Sequence, residues 1–114
     1  MIEPKTLFAA LAQETRLTCL MLLLKHGELC VCELTQALVL AQPHVSHHLA
    51  KLRKDGILLD RRQGLWVHYR LNPELPDWAM GVLREAARAF ELPPLLDRPP
   101  EAVLAGRQQP PGCA

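Results

Sequence analysis

The longest uninterrupted apolar run in these 114 residues, Cys19 to Leu24, is far too short to cross a bilayer. No secretory or transit segment is visible at the N-terminus, so the expected location is cytoplasmic. Four cysteines without a secretion signal are not expected to form disulfide staples, because in a reducing compartment thiols serve more often as ligands or sensors. The pattern of a thiol-dependent oxyanion reductase is also missing. Such an enzyme follows its cysteine with an arginine after five intervening residues, and Cys30 is followed there by Gln36. No second nucleophile–base arrangement is present and no internal repeat, so the chain does not read as an enzyme.

What is present is one small domain with an apolar fraction of 49%. A domain of this size buries a limited share of its surface, so an apolar face left over is expected to be shared with a second copy. The net charge of +1 conceals an uneven distribution. Residues 1 to 43 carry Lys5, Arg16 and Lys25 against Glu3, Glu14, Glu28 and Glu33, a balance of −1. Residues 44 to 70 carry Lys51, Arg53, Lys54, Arg61, Arg62 and Arg70 against only Asp55 and Asp60, a balance of +4, and hold four of the five histidines. A basic middle between mildly acidic ends suits a local polyanion-binding surface, although a charge run by itself is more often a solvated face.

Periodicity orders the chain. Pro4 suits the first turn of a short helix with Leu7, Phe8 and Leu11 as its stripe, and Leu17, Leu20, Met21 and Leu24 mark a second helix that Gly27 caps. A third helix starts near Cys30 and turns Val31, Leu34 and Leu38 inward. Pro43 opens a fourth, over residues 42 to 54, with Val45, Leu49 and Leu52 buried and Gly56 closing it. The period then becomes alternating. Leu58 to Arg62 and Leu65 to Leu71 flank Gln63-Gly64 as a β-hairpin with a basic tip, Val67, Tyr69 and Leu71 on one face and Trp66, His68 and Arg70 on the other. A last helix from Pro76 and Asp77 presents Trp78, Val82, Ala86 and Ala89 or Phe90, the expected dimer face. Residues 1 to 92 are therefore expected to form one domain that dimerises through this last helix. The proline pairs 93/94, 99/100 and 110/111 make residues 93 to 114 a mobile tail.

Helices with a short turn before the last of them, followed by a hairpin, constitute a winged helix-turn-helix: mainly α, with a β wing. Successive residues 100° apart place His44, His47, Lys51 and Lys54 opposite the buried stripe of the fourth helix, with Ser46, Arg53 and His48 at the edges. That face offers donors to base edges near its start and cations to phosphates further on, while Arg61, Arg62 and Gln63 follow the DNA backbone from the hairpin. His44, His47 and His48 also raise a metal site, the weaker reading for a helix that faces DNA.

Three segments occur in order: Leu11-Ala12-Gln13-Glu14-Thr15-Arg16-Leu17, Glu28-Leu29-Cys30-Val31-Cys32-Glu33-Leu34 and Gln42-Pro43-His44-Val45-Ser46-His47-His48-Leu49. Together they resemble the ArsR/SmtB family of metal-responsive repressors over about residues 5 to 91, most nearly its arsenic-responsive members. The resemblance implies a homodimer on a palindromic operator, released when a toxic metal or metalloid binds. It also implies DNA contacts by Gln42, Ser46, His47 and His48.

Cys30 and Cys32 are the expected ligands of trivalent arsenic or antimony, which are soft and thiophilic. Residues i and i+2 of a helix point about 200° apart, so gripping one atom with both thiols is expected to unwind the start of the third helix and displace the fourth. Family members with three thiols on this helix carry the third where this chain has Thr35. Cys113 is then the possible third ligand. Cys19 is the other candidate, though it reads better as a packed core thiol. Two thiolates also fit a methylated trivalent arsenical. A cadmium or lead sensor stays open although no cysteine precedes Cys19, and so does a redox switch between Cys30 and Cys32. A zinc-type site on the last helix lacks histidine over residues 76 to 91.

Overall fold

A proline in the first turn starts α1 (Pro4–Leu11), where its missing N–H has no helical partner to lose. The helix buries Leu7 and Ala10 but leaves Phe8 53% exposed, off the stripe expected for it. The computed structural model describes residues 2–95. α2 (Glu14–His26) follows, its first turn held by Gln13, whose Oε1 accepts from the Arg16 backbone N–H at 2.8 Å. This is the central helix. Cys19 to Leu23 are buried without a break, because α1, α3, α4, α5 and the sheet all pack against it. Gly27 ends it at φ 88, a conformation that favours glycine.

The chain then does something the periodicity did not signal. Glu28–Cys30 form a short strand, β1, and only after it does α3 (Val31–Leu38) begin. The turn out of α3 carries a strained residue. Val39 sits at φ 54, ψ 47, a left-handed conformation that disfavours a β-branched side chain by about 1–2 kcal/mol. The Leu40 N–H reaches back to the Thr35 carbonyl at 3.4 Å, closing α3 with a Schellman-type bond where glycine is the usual residue. α4 (Gln42–Lys54) has the predicted boundaries and buries the predicted Val45, Leu49 and Leu52.

The hairpin is formed by β2 (Leu58–Gln63) and β3 (Trp66–Leu71), each strand pairing as far as Gln63↔Trp66. Its two-residue turn is Gly64-Leu65, one residue later than expected. Gly64 alone takes positive φ (62), as in a type II′ turn. Leu65, 87% exposed, occupies the tip, so the arginines stand along β2 rather than at its end. β1 adds to the other edge of β3, giving an antiparallel sheet ordered β1-β3-β2. That third strand overturns one expectation: His68, expected on the outward face of the hairpin, is only 3% exposed. α5 (Asp77–Ala89) packs Ala79 and Leu83 against α2. Trp78 stays 37% exposed, with Val82 and Ala86 half-buried on the expected stripe. No single helix among the described residues is long and apolar enough to cross a membrane.

Candidate functional site

Cys30 and Cys32 meet, and the reason is that they belong to different elements. Cys30 is the last residue of β1 and the N-cap of α3, with extended backbone (φ −80, ψ 161), while Cys32 lies in the first turn of the helix. An N-cap is not bound by the 100° spacing of helical residues. The two Sγ atoms accordingly stand 2.7 Å apart with α3 fully wound. This corrects the expectation from sequence: one region can present both sulfurs without unwinding, because one of them is outside the helix already.

The joint is closed. Cys30 and Cys32 are 1% and 4% exposed. Glu33, also buried, completes a reciprocal cap: its Oε1 accepts from the Cys30 N–H at 2.9 Å, and Cys30 Sγ accepts from the Glu33 N–H at 3.4 Å. Burial pushes the Cys30 thiol up to about 11, and the Glu33 charge adds to that rise while the backbone N–H bonds oppose it. Cys30 is therefore a thiol at neutral pH. Opposite Cys30 in the sheet is His68, placed on the same face by their pairing.

Cys19 lies on α2 with no exposure, and burial pushes its thiol to about 12, which suits the core role expected of it. Thr35 has its Oγ1 donating to the Val31 carbonyl at 2.8 Å. Cys113 lies outside the described residues, as does nearly all of the segment expected to be a mobile tail.

On α4, Gln42, His44, His47 and Lys51 are exposed, and Ser46 and His48 are partly so. Gln42 Nε2 donates to Ser46 Oγ at 2.8 Å, and His48 makes edge contacts with the rings of His44 and His47 at 4.9 and 5.5 Å. No group of three histidine, cysteine or acidic side chains among the described residues is arranged to hold a metal ion. A groove of about 320 Å³ between α4 and the wing is walled by Gln42, Ser46, Arg53, Arg62 and Trp66.

The wing arginines are not equivalent. Arg62 points away from β1, but Arg61 is gripped by Glu28 of the thiol strand, Nη2 to Oε1 at 2.6 Å and Nε to Oε2 at 3.3 Å, and its Nη1 donates to Gln63 Oε1 at 3.1 Å. That hydrogen bond holds the Glu28 carboxyl below its usual range. Glu28, Glu33 and His68 were not among the predicted site residues. Cys30-x-x-Glu33 did carry a signal, since a small polarisable side chain three residues before glutamate is the capping-box spacing.

Comparison with known proteins agrees with this architecture. Residues 13–58 match the model for bacterial regulatory proteins of the arsR family. Over 83 residues the chain is 53% identical to the arsenic resistance transcriptional regulator ArsR1 of Pseudomonas putida, covering 73% of this chain and 65% of that one. Over 85 residues it is 56% identical to the arsenical resistance operon repressor of Escherichia coli K12, covering 75% of this chain and 73% of the relative. The crystal structure of the AntR antimony-specific transcriptional repressor superposes with a TM-score of 0.64 at 32% identity, covering 73% of this chain and 72% of that one. Its winged helix-turn-helix, five helices around a three-stranded antiparallel sheet, and these identities make the chain a member of the ArsR family of bacterial transcriptional regulators, a family of DNA-binding proteins rather than enzymes.

Proposed function

We propose that the chain is a repressor that occupies a palindromic operator as a homodimer and lets go when trivalent arsenic or antimony is captured by Cys30 and Cys32. The observation that carries this is the convergence of two buried sulfurs, 2.7 Å apart, at the joint between β1 and α3. The names of the relatives point to the same inducers. A neutral thiol is no obstacle to this chemistry. With both cysteines reduced, each S–H proton leaves with one hydroxyl of arsenite as water, while the sulfur lone pair forms the As–S bond, so two thiols convert As(OH)₃ to a dithiolate that keeps one hydroxyl. The donor set also fits an arsenical with one carbon substituent, because Thr35 stands where a third thiol would be and spends its hydroxyl on the Val31 carbonyl. Cys113 is a further candidate donor.

Release follows from what the sulfurs already do. Cys30 Sγ caps α3, and α3 packs on α4. A sulfur bonded to arsenic surrenders that cap, worth about 1 kcal/mol. This is too little alone, since shifting the DNA-bound population from mostly bound to mostly free takes about 5.5 kcal/mol. The larger part comes from room: sulfurs 1% and 4% exposed cannot admit an arsenic atom unless β1 and α3 separate. Two half-sites roughly 34 to 36 Å apart demand matched recognition helices, so a small displacement of α4 forfeits contacts. Phe8 of α1 and Trp78 of α5, both exposed, fit a face shared between copies. Adding arsenite to the protein on a fluorescent duplex of the sequence upstream of its gene, under strong reductant, should lower the anisotropy. A duplex that stays bound at saturating arsenite and antimonite, while oxidant releases it, ends this reading in favour of a redox switch.

A further inference from the structure

Two side-chain nitrogens among the described residues are buried without a hydrogen-bond partner, Arg16 Nε and His48 Nδ1. They belong to one junction. Burial, then the nearby His44, Arg16 and His47, hold the His48 imidazole below its usual pKa. Arg16 stands in the first turn of α2 and donates from Nη2 to the Ala9 carbonyl at 3.3 Å. A cleft of about 230 Å³ there is lined by Lys5 of α1, Arg16 of α2, and Lys51 and Asp55 at the end of α4, with small residues of α1 as its floor. Asp55 already pairs with Lys51 at 3.0 Å. No ion pair engages Lys5 or Arg16 among the described residues. Three helices thus direct three cations at one cleft that holds a single, occupied carboxylate, an arrangement suited to an incoming anion.

We propose that this cleft seats a backbone phosphate of the duplex that α4 reads, which makes Lys5 and Arg16 DNA contacts from outside the helix-turn-helix. The inference rests on the DNA-binding reading and extends its footprint. The duplex, rather than a free anion, is the occupant because Lys51 belongs both to the cleft and to the outward face of α4. Lys5 and Lys51 are both exposed and line the same cleft, within reach of a strand held on that face. Phosphate contacts of this kind fix orientation and add affinity without reading sequence.

The test is the salt dependence of binding to the upstream duplex and to a scrambled duplex of equal length. Lys5→Gln should lower the slope of log K against log salt by about 0.9 and weaken both duplexes by the same factor. Arg16→Gln should lose about another 0.9, and Arg16→Lys should recover most of it. Arg16 is half-buried, so its variants count only if they melt with the wild type; the exposed Lys5 decides alone otherwise. An unchanged slope for Lys5→Gln overturns the assignment, as does a loss confined to the upstream duplex. A wild-type protein that binds neither duplex overturns the DNA-binding reading as well, whereas one that binds normally beside an unaltered Lys5→Gln removes the cleft alone.

Discussion

Cys30 and Cys32 are sealed between a strand and a helix, their neighbours hydrogen-bonded in a closed reciprocal cap, whereas the outward side chains of α4 stand in solvent from Gln42 to Lys54. The first region is nearly dry and raises the pKa of its own thiol; the second is wet, and its hydrogen bonds, Gln42 to Ser46 and Lys51 to Asp55, lie at the surface. Each condition suits its task. A thiol kept neutral and buried resists casual oxidation and alkylation, since the thiolate is the reactive form. A reading face gains from side chains that water has kept adaptable. α3 links the two, capped by Cys30 at one end and packed on α4. On the proposed function, the difference teaches that the chemistry of sensing is shut away at one end of a helix whose flank steadies the chemistry of reading.

The largest expected effect separates these regions. Cys30→Ser and Cys32→Ser should bind the upstream duplex as the wild type does and hold it at saturating arsenite, because one remaining sulfur cannot provide a differential of about 5.5 kcal/mol. Serine is a preferred N-cap, so Cys30→Ser should also keep its melting temperature. Normal release by either variant moves the sensing site elsewhere. Smaller is the effect of opening the joint without touching a sulfur. Glu33→Ala leaves the Cys30 N–H buried and unpaired, at about 1–2 kcal/mol, which lowers the melting temperature by about 4–8 °C per kcal/mol. Glu33→Gln retains an acceptor and should restore most of the loss, and an alanine variant that melts with the wild type would show that the cap does not hold the joint. The smallest effect lies on the link between the regions. Val39→Gly removes a β-branched side chain from left-handed backbone and should stabilise the domain by about 1 kcal/mol in thermal unfolding. A loss of stability there would mean that the turn carries no strain.

Much of this was legible in the residues. α4 was readable to its ends because Pro43 and Gly56 bracket a clean 3.6-residue stripe, and the alternation of Val67, Tyr69 and Leu71 announced the wing. β1 was not. Three residues cannot display alternation, and their apolar content merges with the helix that follows, so Cys30 was assigned to a helix it only caps. That one-residue boundary carried the whole geometric argument about the sulfurs. Missing the strand also hid why His68 is buried and why Arg61 is engaged, since both facts need a partner far away in sequence. The exposure of Phe8 had a similar cause: its helix is short, and α2 meets only part of its circumference.

The pairing of Cys30 with His68 has one more implication, for the shape of the response. Side chains alternate across a strand, so sliding β1 along β3 by a single residue would exchange the faces of two buried residues, taking Leu29 from the apolar cluster and Cys30 from the cap of α3. Gradual creep is thereby forbidden. On the proposed function, the end of this strand has two settings, zipped or peeled away, and a toxicant captured at its last residue would throw a latch rather than turn a dial.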